Sequence, residues 1–255
     1  MIFKINQTEK ILKTLSGFSG SSVYLLQDNN KIFVRKINNI ERNFERMTYL
    51  ANLGYNIPEI YNKDKNTLDI EYIQGLDIKT YLTFNTTENL ARFLIDILTQ
   101  LSVNSKDKDY SETYIKKLDE IEFNRLPFTK EELFNILPKI LPQSDYYGDL
   151  TLENIIYNQS NNFYLIDPAT IEYDSWIFDI AKLRQDLHCK WFIRKDTLFL
   201  DTKLNLIQTE IFRKFPQSNN NYLLILMLLR VFKHAVNDSF EQNFLLKEIH
   251  KLWKL

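Results

Sequence analysis

The pattern of apolar side chains changes once along this chain, and that change limits the fold more than any other feature. The first eighty residues favour strands. SSVYLLQD and KIFVRKI are β-rich runs separated by Asn-Asn, a hairpin signal, and TLDIEYI (67–73) is a further strand. IERNFERMTYLANLG lies between them and reads as a helix closing on Gly54, after which Pro58 restarts the chain in extended form. From Thr87 the period switches. Leu90, Phe93, Leu94, Ile97, Leu98 and Leu101 recur at helical spacing, with Thr86 or Thr87 as the N-cap. Segments 111–122, 129–141, 177–190, 200–214 and 221–253 read as helices too, interrupted by one hairpin made of NIIYN and NFYLID. The expected class is α+β: a small β-rich lobe over 1–73 and a larger helical lobe over 74–255, together one domain.

Composition narrows the function. The 255 residues carry 32 basic and 33 acidic side chains, a formal charge of −1. That balance leaves no electrostatic footprint for nucleic acid and no polybasic membrane patch. With one cysteine, Cys189, no internal disulfide and no zinc-ligand spacing exists. The start lacks the apolar stretch of a signal peptide, and Tyr222–Phe232, the longest greasy run, is too short to span a bilayer. A cytoplasmic protein, monomeric or a weak homodimer, is expected.

The chain has only five glycines, yet YYGDLTLENIIY (146–157) places Gly148 and Asp149 on a turn, with Asn154 opening the next strand. NFYLID then delivers a second carboxylate, Asp167, at the end of the partner strand. Pairing of the two strands brings Asn154 and Asp167 side by side, hard oxygen ligands of the kind Mg²⁺ takes together with phosphate oxygens. Asp149 is left to accept a hydroxyl proton. The Asp-x-x-x-x-Asn spacing of a kinase catalytic loop is met by Asp149 and Asn154. The bland alternative is a turn-capping Asp and two strand-end residues. It explains each position singly and not their combination.

The run YGDLTLENII…YLIDPATIEYDSWIFDIAKL resembles the aminoglycoside phosphotransferase and choline kinase superfamily of small-molecule kinases. The resemblance implies a bilobal protein-kinase-like fold, ATP (or another NTP) with Mg²⁺, and a small-molecule hydroxyl acceptor. It implies Asp149 as base, Asn154 and Asp167 as metal ligands, and Asp179 as an acid bracing the loop. Tyr147 departs from it, since the family usually has His there. GDLTLENI and DIAKL also resemble uncharacterised phosphotransferase-like proteins of bacterial surface-polysaccharide loci.

LSGFSGSSVYLL offers a loop whose backbone amides and hydroxyls suit phosphate oxygens, giving Ser19, Gly20, Ser21 and Ser22 as nucleotide-binding candidates; a plain connection is the alternative. In FVRK, Lys36 stands where a kinase keeps its phosphate lysine, with Arg35 on the opposite strand face. Glu41 and Glu45 share a helix face, and Glu45 is the expected partner of Lys36; set against the family, the corresponding Glu falls nearer Asn43. The resemblance further implies that EYIQGLD presents backbone groups to adenine at Glu71 and Ile73. Asp77 either reaches the ribose or acts as a helix N-terminal acid.

Only eleven residues separate Asp167 from Asp179, and Pro168 follows Asp167, which leaves no protein-kinase activation segment. The alternative functions are a non-catalytic nucleotide-binding scaffold, against which the presence of Asp149 argues because binding does not require it, and after it a protein kinase; a two-carboxylate hydrolase gives no account of Lys36. For the acceptor, Asp145, Tyr146, Tyr147, Trp176, Arg184, His188 and Trp191 lie near the catalytic stretches in sequence; helix packing is the commoner explanation for His188 and the tryptophans.

Overall fold

A computed structural model of the chain describes residues 8–15, 21–196, 198–235 and 239–254. Its contacts divide into two compact units, Met1–Asp77 with Asn154–Thr170, and Ile78–Glu153 with Ile171–Leu255. The second hairpin therefore counts with the first unit, whereas the sequence assigned it to the helical lobe.

The first unit is built on five antiparallel strands, β1 (Glu9–Leu15), β2 (Ser22–Asp28), β3 (Lys31–Ile37), β4 (Ile60–Lys63) and β5 (Thr67–Glu71), in the order β1-β2-β3-β5-β4. The β2–β3 hairpin turns on Asn29, whose φ of 52° is a left-handed conformation that Asn tolerates. Helix α1 (Glu41–Asn52) covers one sheet face, where Ile40, Met47, Leu68 and Ile70 form a core with Val34, Phe44, Ile57 and Ile60. On β3, Arg35 and Lys36 project to opposite faces. Arg35 forks to Asp69 (2.5 and 2.7 Å) and to Glu9 (2.9 and 2.9 Å) in a buried three-residue network, which leaves Lys36 facing α1.

A second sheet of this unit joins β6 (Gly75–Asp77), β9 (Ile155–Asn158) and β10 (Phe163–Leu165) in the order β10-β9-β6. The β6–β9 pairing ties the later hairpin to the N-terminal segment, as does the Leu165 N–H on the Asn56 carbonyl (2.8 Å). It depends on Gly75, where a Cβ would lie 2.3 Å from the Tyr157 carbonyl oxygen.

The second unit contains helices α2 (Ile78–Phe84), α3 (Glu88–Leu101), α4 (Ser111–Leu118), α5 (Lys130–Ile136), α6 (Trp176–Leu187), α7 (Asp201–Lys214), α8 (Asn221–Phe232) and α9 (Ser239–Trp253). The apolar stripe of α3 buries Leu90, Leu94, Ile97, Leu98 and Leu101. Helix α6 is its axis: all but one of its residues are buried, and it packs on α7 and α8. Three expectations change. Helix 129–141 stops at Ile136 because Leu137 precedes Pro138 and turns extended (ψ 137°). The chain then enters β8 (Ile140–Gln143), which pairs with β7 (Lys106–Asp109) in a two-stranded sheet. The long segment 221–253 is two helices, the first closing through short turn bonds from His234 to Val231 and from Ala235 to Phe232. Among the described residues no helix is long and apolar enough to cross a membrane.

Candidate active site

In the first unit, Lys36 donates from Nζ to Asn43 Oδ1 (3.1 Å) and to Asp167 Oδ1 (2.5 Å). Asn43 Nδ2 donates to that same Asp167 oxygen (2.9 Å) and to the Pro168 carbonyl (2.6 Å). Lys36 and Asn43 are buried, while 52 % of the Asp167 side chain stays accessible. Asp167 has φ +60°, a conformation uncommon for a non-glycine residue that clusters at functional turns. The carboxylate thus has one oxygen gripped by two donors and its side chain half open.

Continuing the β9–β10 register places Asn154 opposite Ile166, whose N–H bonds the Asn154 carbonyl (2.9 Å). Asp167 falls one residue beyond. Asp167 and Asn154 supply a carboxylate and an amide, the oxygen types that a hard cation would take along with phosphate and water.

The helix partner of Lys36 corrects one expectation. Glu45 is exposed on the far side of α1, and the residue that meets the lysine is Asn43, on the buried face with Met47 and Leu50. The spacing Asn43, Met47, Leu50 was the available signal: a polar side chain on an apolar stripe.

Of the loop candidates, Ser19 and Gly20 lie outside the described residues. Ser21 Oγ donates to the Asn38 carbonyl (2.9 Å) just past the end of β3, and Ser22 opens β2 opposite Ile37. The Glu71 amide donates to the Glu59 carbonyl (2.8 Å), so that N–H is committed within the sheet. Ile73 lies in the short stretch between β5 and β6.

In the second unit, three side chains of α6, spaced three and four residues apart and so on one face, reach the loop 147–152. Asp179 accepts from the amides of Tyr147 (2.5 Å) and Gly148 (2.8 Å), and is itself buried. Gly148 has φ +96°, open to glycine and strained for other residues. Tyr147, in the place where the resemblance expects His, is fully buried, its amide held by Asp179. Lys182 forms an ion pair with Asp149 (3.1 Å) while 36 % of the Asp149 side chain remains accessible. Asp186 accepts from the Leu152 amide (2.6 Å), and its other oxygen has no hydrogen-bond partner among the described residues. Burial, and then the neighbouring Glu153, push the Asp186 carboxyl up to about 8. Glu153 keeps 41 % of its side chain accessible but sits in a recess that raises its carboxyl, offset by Arg194 at 3.7 Å. Lys182 and Asp186 were legible only as polar positions recurring on one face of an apolar helix.

Of the other aromatic and charged residues near these stretches, Trp176, Arg184 and Trp191 are packing groups. Trp176 is buried against Phe215. Arg184 donates to the Asn220 carbonyl and Asn221 Oδ1 (both 2.8 Å), and burial lowers it to about 10. The Trp191 ring is covered by the Arg194 guanidinium at 3.7 Å, and His188 is half-buried, which lowers its pKa.

No protein-family profile and no curated protein matches the sequence. Solved structures match over nearly the whole chain. Choline kinase LicA from Streptococcus pneumoniae is 18 % identical, with a TM-score of 0.63 over 96 % of this chain and 95 % of that one. A thermostable mutant of aminoglycoside phosphotransferase APH(4)-Ia, in ternary complex with ADP and hygromycin B, is 12 % identical, with a TM-score of 0.64 over 95 % and 92 %. A fructosamine-3-kinase-like protein from Haemophilus somnus is 15 % identical, with a TM-score of 0.60 over 94 % and 90 %. The chain therefore has the α+β, protein-kinase-like fold shared by these small-molecule kinases.

Proposed function

We propose that this chain is an ATP- and Mg²⁺-dependent kinase that phosphorylates a hydroxyl of a small molecule. The observation that carries the reading is the Lys36–Asp167 ion pair at 2.5 Å, which joins residues 131 apart in sequence. One is the candidate phosphate lysine and the other the candidate metal carboxylate, and a fold without a nucleotide to hold has no need to bring them together on a half-open side chain. Neighbours of the same fold holding ADP, or AMP in a further LicA structure at a TM-score of 0.56, support the nucleotide.

In this reading Lys36 binds phosphate oxygens, Ser19 to Ser22, the Glu71 carbonyl and the Ile73 backbone serve the nucleotide, and Asp167 with Asn154 hold Mg²⁺. The cation supplies charge neutralisation on the phosphates. Asp149 orients the acceptor hydroxyl and takes its proton. The hydroxyl oxygen bonds to the γ-phosphorus, the bond to the β–γ bridging oxygen breaks, and ADP leaves with that electron pair. Lys182 keeps Asp149 aimed, and Asp179 fixes the loop that carries it. The acceptor is a sugar, sugar derivative or amino alcohol, with a surface-polysaccharide building block the narrower suggestion. Guanidinium coverage of Trp191 disfavours a quaternary ammonium stacked on that ring.

The test is thermal unfolding with ADP and Mg²⁺, followed by turnover over a panel of alcohols. Ligand at a hundred times its Kd adds about 2.7 kcal/mol. A Mg²⁺-dependent rise in the wild type that Asp167→Asn abolishes, with turnover lost in Asp149→Asn but nucleotide binding retained, supports the reading. Absence of any nucleotide-dependent rise in the wild type refutes it.

A further inference from the structure

Lys36, Asn43 and Asp167 form a closed triangle of hydrogen bonds, and the side chain at its centre is a neutral amide. Chemistry fixes how that amide is turned. Its oxygen faces the Lys36 ammonium at 3.1 Å, and its NH₂ faces Asp167 Oδ1 at 2.9 Å and the Pro168 carbonyl at 2.6 Å. The flipped amide would set NH₂ against ammonium and oxygen against two acceptors, so no other assignment satisfies the site. A carboxylate at position 43 could accept from Lys36 but could donate to neither Asp167 nor Pro168. It would also place a second negative charge, itself buried, against the first.

Resting on the kinase reading above, we infer that Asn43 is a positioning residue for Asp167, and that it makes Lys36 the exchangeable member of the triangle. Among the described residues, the only ion pair Lys36 makes is with Asp167. When the ammonium turns to a phosphate oxygen, it gives up the Asp167 oxygen. The Asn43 amide stays, bonded to Asp167 on one side and to the following carbonyl on the other, so the carboxylate keeps its direction. An acidic helix residue could pair with the lysine but has no donor to hold the metal carboxylate. In this chain one amide serves both, because it can accept and donate at once.

The experiment is calorimetric titration of ADP into wild type, Lys36→Met, Asn43→Ala, Asn43→Asp and Asn43→Glu, each with and without Mg²⁺. Loss of a group that orients a metal ligand typically weakens metal affinity about 10–100-fold. Asn43→Ala should therefore lose at least about tenfold of the Mg²⁺-dependent gain in ADP affinity, with Mg²⁺-free affinity nearly unchanged. Lys36→Met should weaken ADP under both conditions. Asn43→Asp preserves the volume if the alanine variant does not fold, and it should lose the Mg²⁺-dependent gain as well. Asn43→Glu, which restores an acidic helix partner, should be no better than Asn43→Ala. Wild-type Mg²⁺ dependence in Asn43→Ala, or ADP binding in Asn43→Asp or Asn43→Glu as tight as in the wild type, overturns the inference while leaving the kinase reading intact. No ADP binding by the wild type removes the kinase reading and the inference with it.

Discussion

Replacing Asp179 tests how the loop carrying Asp149 is held. The Asp179 carboxylate is 2 % exposed and accepts two backbone N–H groups, from Tyr147 at 2.5 Å and from Gly148 at 2.8 Å. Both donors belong to buried residues, so water is a poor substitute. A buried donor left without a partner costs about 1–3 kcal/mol. Asp179→Ala orphans two, and the expected loss is about 4 kcal/mol, or roughly 8–16 °C in Tm for a chain of this size. Asp179→Asn keeps one carbonyl acceptor and sets its NH₂ against the other donor, so about half of that loss is expected. The assay is thermal unfolding of the three proteins at neutral pH. A fall below about 2 °C in the alanine variant, or an asparagine variant less stable than the alanine one, would refute the claim that this carboxylate anchors the loop through paired backbone bonds.

Three further outcomes are expected. Asp186 holds a proton that the unfolded chain releases above about pH 4, because burial raises its folded value to about 8. Stability from this group is complete at pH 4 and below and is lost as pH rises to 8, at about 1.4 kcal/mol per unit; Asp186→Asn should flatten that slope in melts across this range, and an unchanged slope would count against it. Arg35→Met strands Asp69 and Glu9, with 9 % and 3 % of their side chains accessible, and should cost about 3–5 kcal/mol in denaturant titration. Arg35→Lys should recover less than half of this, since an ammonium cannot fork to two carboxylates. Cys189 is buried and its thiol is pushed up to about 12, so a thiol reagent should label it only on unfolding; rapid native labelling would contradict the packing.

Local features of the fold were written in the sequence because local physics decides them. The Asn29-Asn30 turn, the alternating strands beside it and the α3 stripe depend on neighbours within a few residues. So does the Gly148–Asp149 turn, whose positive φ needs a glycine. Proline placed a further limit, at Pro138, that residue spacing alone had overrun. Pairing over long separations was not legible. The β7 segment reads Lys-Asp-Lys-Asp, with no apolar face to mark it, and becomes a strand only because β8 supplies hydrogen-bond partners. At Gly75, only the approach of the Tyr157 carbonyl shows why no Cβ fits.

The site divides the same way. Asp149, Asn154, Asp167 and Lys36 stood out because their residue types and spacings answer to phosphoryl-transfer chemistry. The partner of Lys36 did not, since sequence favours the charged Glu45 and only packing turns Asn43 inward. Lys182 and Asp186 have their surroundings set by a loop some thirty residues earlier in the chain. The sequence alone determined which chemical groups are available and where the chain turns. Tertiary structure decided which of them meet, because hydrogen bonds and burial act through space and a helix of fixed pitch presents only one face to its neighbour.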